Sequence, residues 1–496
     1  MSKNKKKDFE FSNLQIGDND LVGDKFNGHN LHKYLRESKI DSVSLVWNKE
    51  SNDKNTYLIS SKREDREEIK QIALDIQKGY SLNSINNPIA YDILYDELFL
   101  NTNVVHFHLI HNFIFDIQLL PIMTRLKPIV WTLHDPWSLG GHCIHHYECK
   151  KWKKNCGDCQ YLDSHFLLEK DNSSLNFEIK KQSIQNSNFE VIVASKWMKE
   201  KVSQSPIFKG KKINIIPFGI NQKVFKPINK DNVKKELGIP NDSFIITFRC
   251  DYSGFKGMDY IDYVLKNIKT KKNIYILAVA NTYNIKIKNI TCINFGWVKD
   301  NSLLSKIYGI TDLFLAPSSA DSFGMMVVEI MSCGVLPIVL EGTALPETVN
   351  SPECGVSTKR IKKEYFKVVQ YYIEHDEERN ERSKKCLEFA KKNYNKDLYL
   401  NKIIKVYKEA IKNHNTTEDD KHLLSQLKKY MMVGSFKPIF KKPENKIKRF
   451  KKIKMMIRKI VIICFYKVDK FFPKKIRKKM KTKLVKFNFV RKYLIK

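Results

Sequence analysis

Long apolar runs are missing from this chain of 496 residues. No stretch approaches the roughly 18 apolar residues that a membrane-spanning helix requires, so an integral membrane protein is not expected. A secretory signal is not expected either. Lys3 to Lys7 is followed by Asp8, Glu10 and polar residues instead of an apolar segment. Cysteine is sparse at ten residues, which excludes a disulfide scaffold and leaves thiols expected to be reduced in the cytosol. Acidic residues fall short of basic ones, 54 against 88. The shortage is concentrated at one end: 24 Lys and Arg between Phe436 and Lys496 meet only Glu444 and Asp469 there, a net +22 of the chain's +34. The chain therefore reads as a mildly basic body with a strongly basic tail that seeks an anionic surface, phospholipid or nucleic acid.

What is present is a globular composition, 42% hydrophobic and 29% charged. Runs of β-branched and aromatic residues alternate with helical stretches, the pattern of parallel α/β sheets. Strands are predicted at Phe9–Leu14, Asp41–Trp47, Val104–His108, Ile129–Leu133, Val191–Ala194 and Ile213–Ile216. After Pro217 to Pro227 a second series follows, at Phe244–Phe248, Ile274–Val279, Thr291–Phe295, Leu313–Ala316 and Val335–Leu340. Two series predict two doubly wound Rossmann-like domains, residues 1–225 and 226–412, with Lys- and Glu-rich closing helices from about Lys362 and a basic helical extension over 413–496. No repeat of solenoid period is visible.

Ligands of doubly wound sheets bind beyond the carboxyl ends of the strands, where the strand order reverses. The residues that follow the predicted strands are Gly23 to Gly28, His134-Asp135, Ser195-Lys196, Arg249 to Lys256 and Ser318 to Gly324. Glycines, a histidine, two fixed cations and a carboxylate meet at one edge if the domains face each other across a cleft. That inventory suits a diphosphate and a polyhydroxyl group. Glu329 is the single charge in the apolar helix Met325 to Cys333 and needs hydrogen-bonding partners if buried. The amides of Phe323, Gly324 and Met325 at that helix's start offer an anion site.

These motifs together resemble the retaining glycosyltransferases of the GT-B fold, family 4. Asp321-Ser-Phe-Gly324 followed by Glu329-Ile-Met-Ser-Cys-Gly334-Val-Leu-Pro337 is similar to that family's Glu-x7-Glu segment. The resemblance runs over roughly residues 9–410 and takes in Gly23 to Gly28, Val130 to Asp135, Ala194 to Trp197, Pro217 to Asn221, Phe248-Arg249, Lys256-Gly257 and Gly342 to Glu347. It implies that Arg249 and Lys256 grip the donor diphosphate, with Ser322, Phe323, Gly324 and Met325 beside it. Glu329 would bind the nucleotide ribose, and His134 would sit beside the donor sugar. Gly23 and Gly28 would form a flexible loop near diphosphate and acceptor. Asp321 stands where the family has a Glu touching the transferred sugar, a shorter side chain that leaves the sugar open. The implied activity is transfer from a nucleotide diphosphate sugar to a glycan or lipid-linked acceptor. The implied setting is bacterial surface polysaccharide: lipopolysaccharide, capsule or exopolysaccharide. No cofactor is expected for catalysis. Asp18-Asn-Asp20, the one Asp-x-Asp triplet, reads as turn chemistry instead of a metal site.

Four of the ten cysteines, Cys143, Cys149, Cys156 and Cys159, crowd into an insertion over 141–162. In a reducing compartment such a cluster fits a structural zinc site or plain unliganded thiols, and His142, His145 or His146 could replace one thiolate. His106 and His108 are expected to line the cleft from a strand end. The tail over 436–496 interleaves Lys and Arg with Ile, Met, Phe and Val, which suits an anionic membrane surface at the inner face of the plasma membrane. The competing readings are a GT-B nucleotide-sugar epimerase and a nucleic-acid-binding protein. The tail has no recognised nucleic-acid module, so nucleic acid is not the expected partner.

Overall fold

The computed structural model describes residues 9–432, apart from the single positions 86, 113, 165 and 285. The basic segment 436–496 lies outside the described residues.

The first sheet holds seven parallel strands: β1 Ser12–Asn19, β2 Asp41–Asn48, β3 Thr56–Leu58, β4 Val104–Phe107, β5 Ile129–Thr132, β6 Glu190–Val193 and β7 Ile213–Ile215. Their order is β3-β2-β1-β4-β5-β6-β7, so the winding reverses between β1 and β4. The second sheet holds β8 Phe244–Arg249, β9 Ile274–Val279, β10 Ile290–Gly296, β11 Leu313–Ala316, β12 Leu336–Leu340 and β13 Val356–Thr358. Its order, β10-β9-β8-β11-β12-β13, reverses between β8 and β11. Each sheet therefore opens a crevice at one switch point. The two-domain, doubly wound expectation is met.

Period-two alternation divides the strands between two layers. On β4, Val105 and Phe107 enter one apolar cluster with Leu14, Ile16 and Trp131. Val104 faces the other way, into a core continuous with the second domain through Ile216, Phe218, Phe225 and Phe248. The inter-domain region is thus packed.

Three expectations move. β1 runs over Ser12–Asn19 instead of Phe9–Leu14, because the polar residues after Leu14, Gln15 among them and almost fully buried, belong to the strand and not to the turn after it. β3 and β13 were not predicted; each is a three-residue edge strand, too short to show a pattern. The closing helices also divide differently from the expected 226–412 domain. Lys396–Asn413 leaves the second domain and packs on the first, where the Tyr407 hydroxyl meets Gln15 and His106. The chain past 413 is not all tail, since helix Glu418–Met432 docks on the first domain through the Arg125–Asp420 pair and Leu423 and Leu424. Among the described residues no helix is long and apolar enough to cross a membrane.

Candidate active site

The two switch points face each other across a cavity of about 260 Å³. Its walls bring together most of the predicted residues: His134 and Phe26 from the first domain, and Arg249, Lys256 and Asp321 to Met325 from the second. Neither Gly23 nor Gly28 lines it. Gly23 opens the turn that carries Phe26, whose amide donates to the Gly23 carbonyl at 2.9 Å. Gly28 starts the helix His29–Glu37 at φ 98°, and a Cβ there would stand 2.6 Å from the His108 ring. Only glycine serves at Gly28, for backbone and space alike.

The cations sit at the carboxyl end of the second sheet, each held by a carboxylate. Arg249 ends β8 and meets Asp251 at 2.9 Å. Lys256 follows in the next loop and bonds both oxygens of Asp321, at 3.0 and 2.9 Å. Helix Met325–Ser332 begins at Gly324 and aims its first amides into the same space. An anion entering here meets two exchangeable cations and a helix N-terminus.

Glu329 is fully buried, as its lone position in an apolar helix implied. One oxygen takes an ion pair from Lys25 across the domain gap, and the other has no partner among the described residues. Burial raises its carboxyl above the ordinary range, against the pull of Lys25. Lys25, two residues past Gly23, was missed by sequence reasoning. Only its place inside the glycine loop marks it.

His134 lies in a different environment. Its ring stacks on Phe218 at 5.5 Å and leans on Phe26 at 5.4 Å. Its Nε2 faces His108 Nδ1 at 3.1 Å, and His108 Nε2 faces Gln15 Oε1 at 2.6 Å. Gln15 donates to the Tyr407 hydroxyl at 3.0 Å, which also bonds His106 Nδ1 at 2.6 Å. Burial, reinforced by the neighbouring imidazoles, holds His106, His108 and His134 well below the usual histidine range. The expectation that His106 and His108 line the cleft is corrected: both are buried beneath it, and only His134 reaches the cavity.

Further contacts lock the domains. Ser322 Oγ donates to the His134 carbonyl, and Ser195 Oγ donates to the Ser322 carbonyl at 2.8 Å. Glu347 accepts from the amides of Lys196 and Trp197 at 2.8 and 3.0 Å, capping the first-domain helix Lys196–Gln204. Asp20 accepts from the amides of Glu50 and Ser51 at 2.8 and 3.0 Å, tying its loop to the one after β2, while Asn19 Oδ1 accepts from the amides of Leu21 and Val22, both at 2.8 Å, in a local turn.

A second cavity of about 410 Å³ adjoins the first. The cysteine-rich insertion supplies His145 to Glu148 to its wall, and the second domain supplies Ser319, Gly342, Lys359 and Arg360. Within the insertion the structure groups His142, Cys143 and Cys159, with donor atoms within 4.8 Å of one another, a set that leaves out Cys149 and Cys156.

A two-domain protein of GT-B fold, with a cationic cleft between its switch points, is the class that this geometry defines. Residues 229–393 match the family described as glycosyl transferases group 1. The chain is 28% identical over 186 residues to an uncharacterised 41.2 kDa protein of the cps region of Klebsiella pneumoniae, covering 37% of this chain and 49% of that one. The chain thus spans about half the length, or less, of the curated relatives it matches first. Among solved structures it resembles sucrose-phosphate synthase of Thermosynechococcus elongatus, with a TM-score of 0.57 at 14% identity, over 81% of this chain and 99% of that one. Anabaena Alr3699/HepE, solved with UDP and glucose, gives a TM-score of 0.54 at 12% identity, over 81% and 100%. At such identity the likeness is one of fold.

Proposed function

We propose that the chain is a glycosyltransferase that moves a sugar from a nucleotide diphosphate donor to a glycan or lipid-linked acceptor, with retention of anomeric configuration. The observation that carries this reading is the convergence of Arg249, Lys256 and the Gly324 helix start on one cavity that also holds His134. Breaking a sugar–phosphate bond leaves negative charge on the departing diphosphate, and preorganised cations and amides aimed at that charge lower the barrier. Arg249 supplies a fork and Lys256 a compact charge. To reach the diphosphate, Lys256 gives up Asp321, which frees that carboxylate for hydroxyls of the transferred sugar. The unpartnered oxygen of Glu329 suits a ribose hydroxyl. His134, kept neutral by burial, offers the sugar a polar edge without a charge that would compete for the diphosphate. Retention rests on the resemblance of the Asp321 to Pro337 segment. The adjoining cavity, walled by Trp197, Lys201 and Arg360, is the proposed acceptor side.

The match to a cps-region protein supports a role in bacterial surface polysaccharide assembly. The basic segment 436–496 would hold the enzyme on an anionic leaflet at the cytoplasmic face, where each Lys or Arg near the surface adds about 1 kcal/mol. The deciding experiment is thermal stabilisation across a nucleotide-sugar panel, followed by product analysis with and without acceptor. No stabilisation by any nucleoside diphosphate sugar overturns the donor assignment, and a rearranged sugar formed without acceptor overturns transfer. Salt-sensitive flotation with anionic vesicles, lost on truncation after Gly434, tests the surface assignment; equal flotation of both proteins refutes it.

A further inference from the structure

The cysteine-rich insertion plays no part in the donor chemistry, yet it holds the densest group of soft ligand atoms in the described chain. His142 Nδ1 stands 3.7 Å from Cys143 Sγ, and Cys159 Sγ lies within 4.8 Å of both. His142 Nε2 meanwhile faces the Tyr161 carbonyl at 3.0 Å. A carbonyl accepts only, so Nε2 carries the hydrogen and Nδ1 turns its lone pair towards the sulfurs. That pattern, one ring nitrogen held by a backbone carbonyl and the other free for a metal, is the usual support of a ligating histidine.

The backbone around the sulfurs is shaped to match. Cys156, Gly157 and Asp158 take positive φ angles of 56°, 89° and 45° in succession. Two of them are not glycine, and such conformations persist only where the surroundings impose them. The turn brings Cys156 Sγ to the Gly141 amide, which donates to it at 3.3 Å, and it places Cys159 three residues on. Asp171 fixes Cys159 by accepting from its amide at 2.7 Å. An amide aimed at a sulfur stabilises a thiolate. Behind the group, the ammonium of Lys180 is fully buried with two carbonyls as acceptors, those of Trp137 and Gly140, each at 2.9 Å. Three thiolates and a neutral imidazole around a divalent cation carry a net −1, which a charged Lys180 at this place would offset.

We propose that His142 Nδ1, Cys143 and Cys159 bind one zinc ion and that Cys156 Sγ, which stands outside that close group, moves in to complete a closed tetrahedral site, each thiol releasing its proton to solvent as the metal enters. The site differs from the four-cysteine set suggested by spacing, with His142 in place of Cys149. Its purpose follows from its position. Residues 144–148 loop out from Cys143, and His145 to Glu148 form part of the wall of the 410 Å³ cavity, where His145 packs on Phe255 of the second domain at 5.2 Å. Zinc clamps the base of that loop and so fixes the cavity's shape. The other close donor group, His29, His32 and Asp53, is unlike it. Both nitrogens of His32 already face oxygens, Ser42 O at 3.3 Å and Asp53 at 2.6 Å, so neither is turned towards a metal.

The proposal does not depend on sugar transfer, and its test reads the metal directly. The full chain, purified without added metal, is expected to contain about one zinc per molecule by elemental analysis. X-ray absorption at the zinc edge should show sulfur and nitrogen in a 3:1 ratio. Cys143→Ser and Cys159→Ser should each lose the zinc, whereas Cys354→Ser should keep it. Should the serine variants fail to fold, the unaltered chain is stripped with chelator and given cobalt. Strong thiolate-to-cobalt absorption, displaced by one equivalent of zinc, is the expected result. Less than a tenth of a zinc per chain after equilibration with the metal overturns the proposal, as does full zinc content in folded Cys143→Ser.

Discussion

The two sheets share one architecture and differ in the chemistry they set at their carboxyl edges. The second sheet presents charge: Arg249, Lys256 and Asp321 stand at the ends of β8 and β11, partly open to solvent and paired with each other or with Asp251. At the first sheet's edge lies a buried chain of neutral amides, imidazoles and hydroxyls, from His134 through His108 and Gln15 to Tyr407. A charged group that must exchange partners with a ligand has to stay near water, because moving an unpaired charge into the interior is too costly. A group that only shapes and orients can be buried, provided its hydrogen bonds are met. Under the proposed function, this difference would give binding of the diphosphate to the second domain and positioning to the first. Lys25 is the exception, a first-domain cation that reaches Glu329 in the second.

The strongest way to break this comparison is to remove the exchangeable charges. Arg249→Ala and Lys256→Ala are each expected to lower transfer about 100- to 1000-fold, the usual effect of losing one preorganised donor to a developing anion. The melting temperature should change little, because both side chains are partly exposed. Steady-state transfer assays and thermal melts, run side by side, check this. Near-normal turnover in both variants removes the diphosphate assignment.

Lys25→Ala tests the exception. It leaves Glu329 buried without a cation, and the expected loss is about 3 kcal/mol, the low end for a buried pair broken from one side. Adding Glu329→Gln in the same chain should recover much of that loss, since no charge is then left unpaired. Denaturant melts of the two single variants and the double variant measure the coupling. Additive losses would mean that the pair contributes nothing across the domain gap.

The charged edge was legible in the sequence because charge is conspicuous where strands end in apolar runs. Arg249, Lys256 and the Asp321 to Gly324 loop all stood out for that reason. The neutral edge was not. Gln15, Gly17 and Asp18 interrupt the apolar pattern after Leu14, so the strand was placed too early. His106 and His108 were placed on the cleft surface, since alternation fixes a face but not how deep that face is covered. The covering element is helix Lys396–Asn413, and its return to the first sheet leaves no local signal. Long-range pairs such as Lys25 with Glu329 and Glu347 with the Lys196 amide are invisible for the same reason.

Acid should strike the first domain's chain of histidines. His106, His108 and His134 are held well below the ordinary value of 6.5, chiefly by burial. Unfolded, they take up protons as the pH falls through 6.5; folded, they do not. The unfolded state then binds more protons, so stability is full above 6.5 and is lost as the pH falls below it. Each histidine that stays neutral contributes a loss of up to about 1.4 kcal/mol per pH unit. Glu329 works the opposite way: its carboxyl is raised from 4.5, so its contribution diminishes as the pH rises and cannot produce an acid loss. Thermal melts between pH 7.5 and 5.5 should therefore fall steadily. A flat profile would mean that the three rings are open to water.

The smallest expected effect separates positioning from mere packing. The Tyr407 hydroxyl accepts from Gln15 Nε2 at 3.0 Å and bonds His106 Nδ1 at 2.6 Å. Tyr407→Phe keeps the ring that packs against Phe11 and removes only the oxygen. Two buried polar atoms lose a partner, which costs about 1–3 kcal/mol. Gln15 Nε2 also reaches Asn13 Oδ1, so the cost should fall at the low end of that range. Nucleotide protection should be unchanged, because no second-domain charge has been touched. Turnover should fall only a few-fold, since His108 still holds Gln15 Oε1 on one side and His134 on the other. Denaturant melts, nucleotide-dependent melts and a transfer assay on one preparation distinguish the outcomes. A loss of turnover of tenfold or more at intact nucleotide protection would show that the buried chain orients His134 against the sugar, and that the neutral edge does catalytic positioning as well as shaping the cleft.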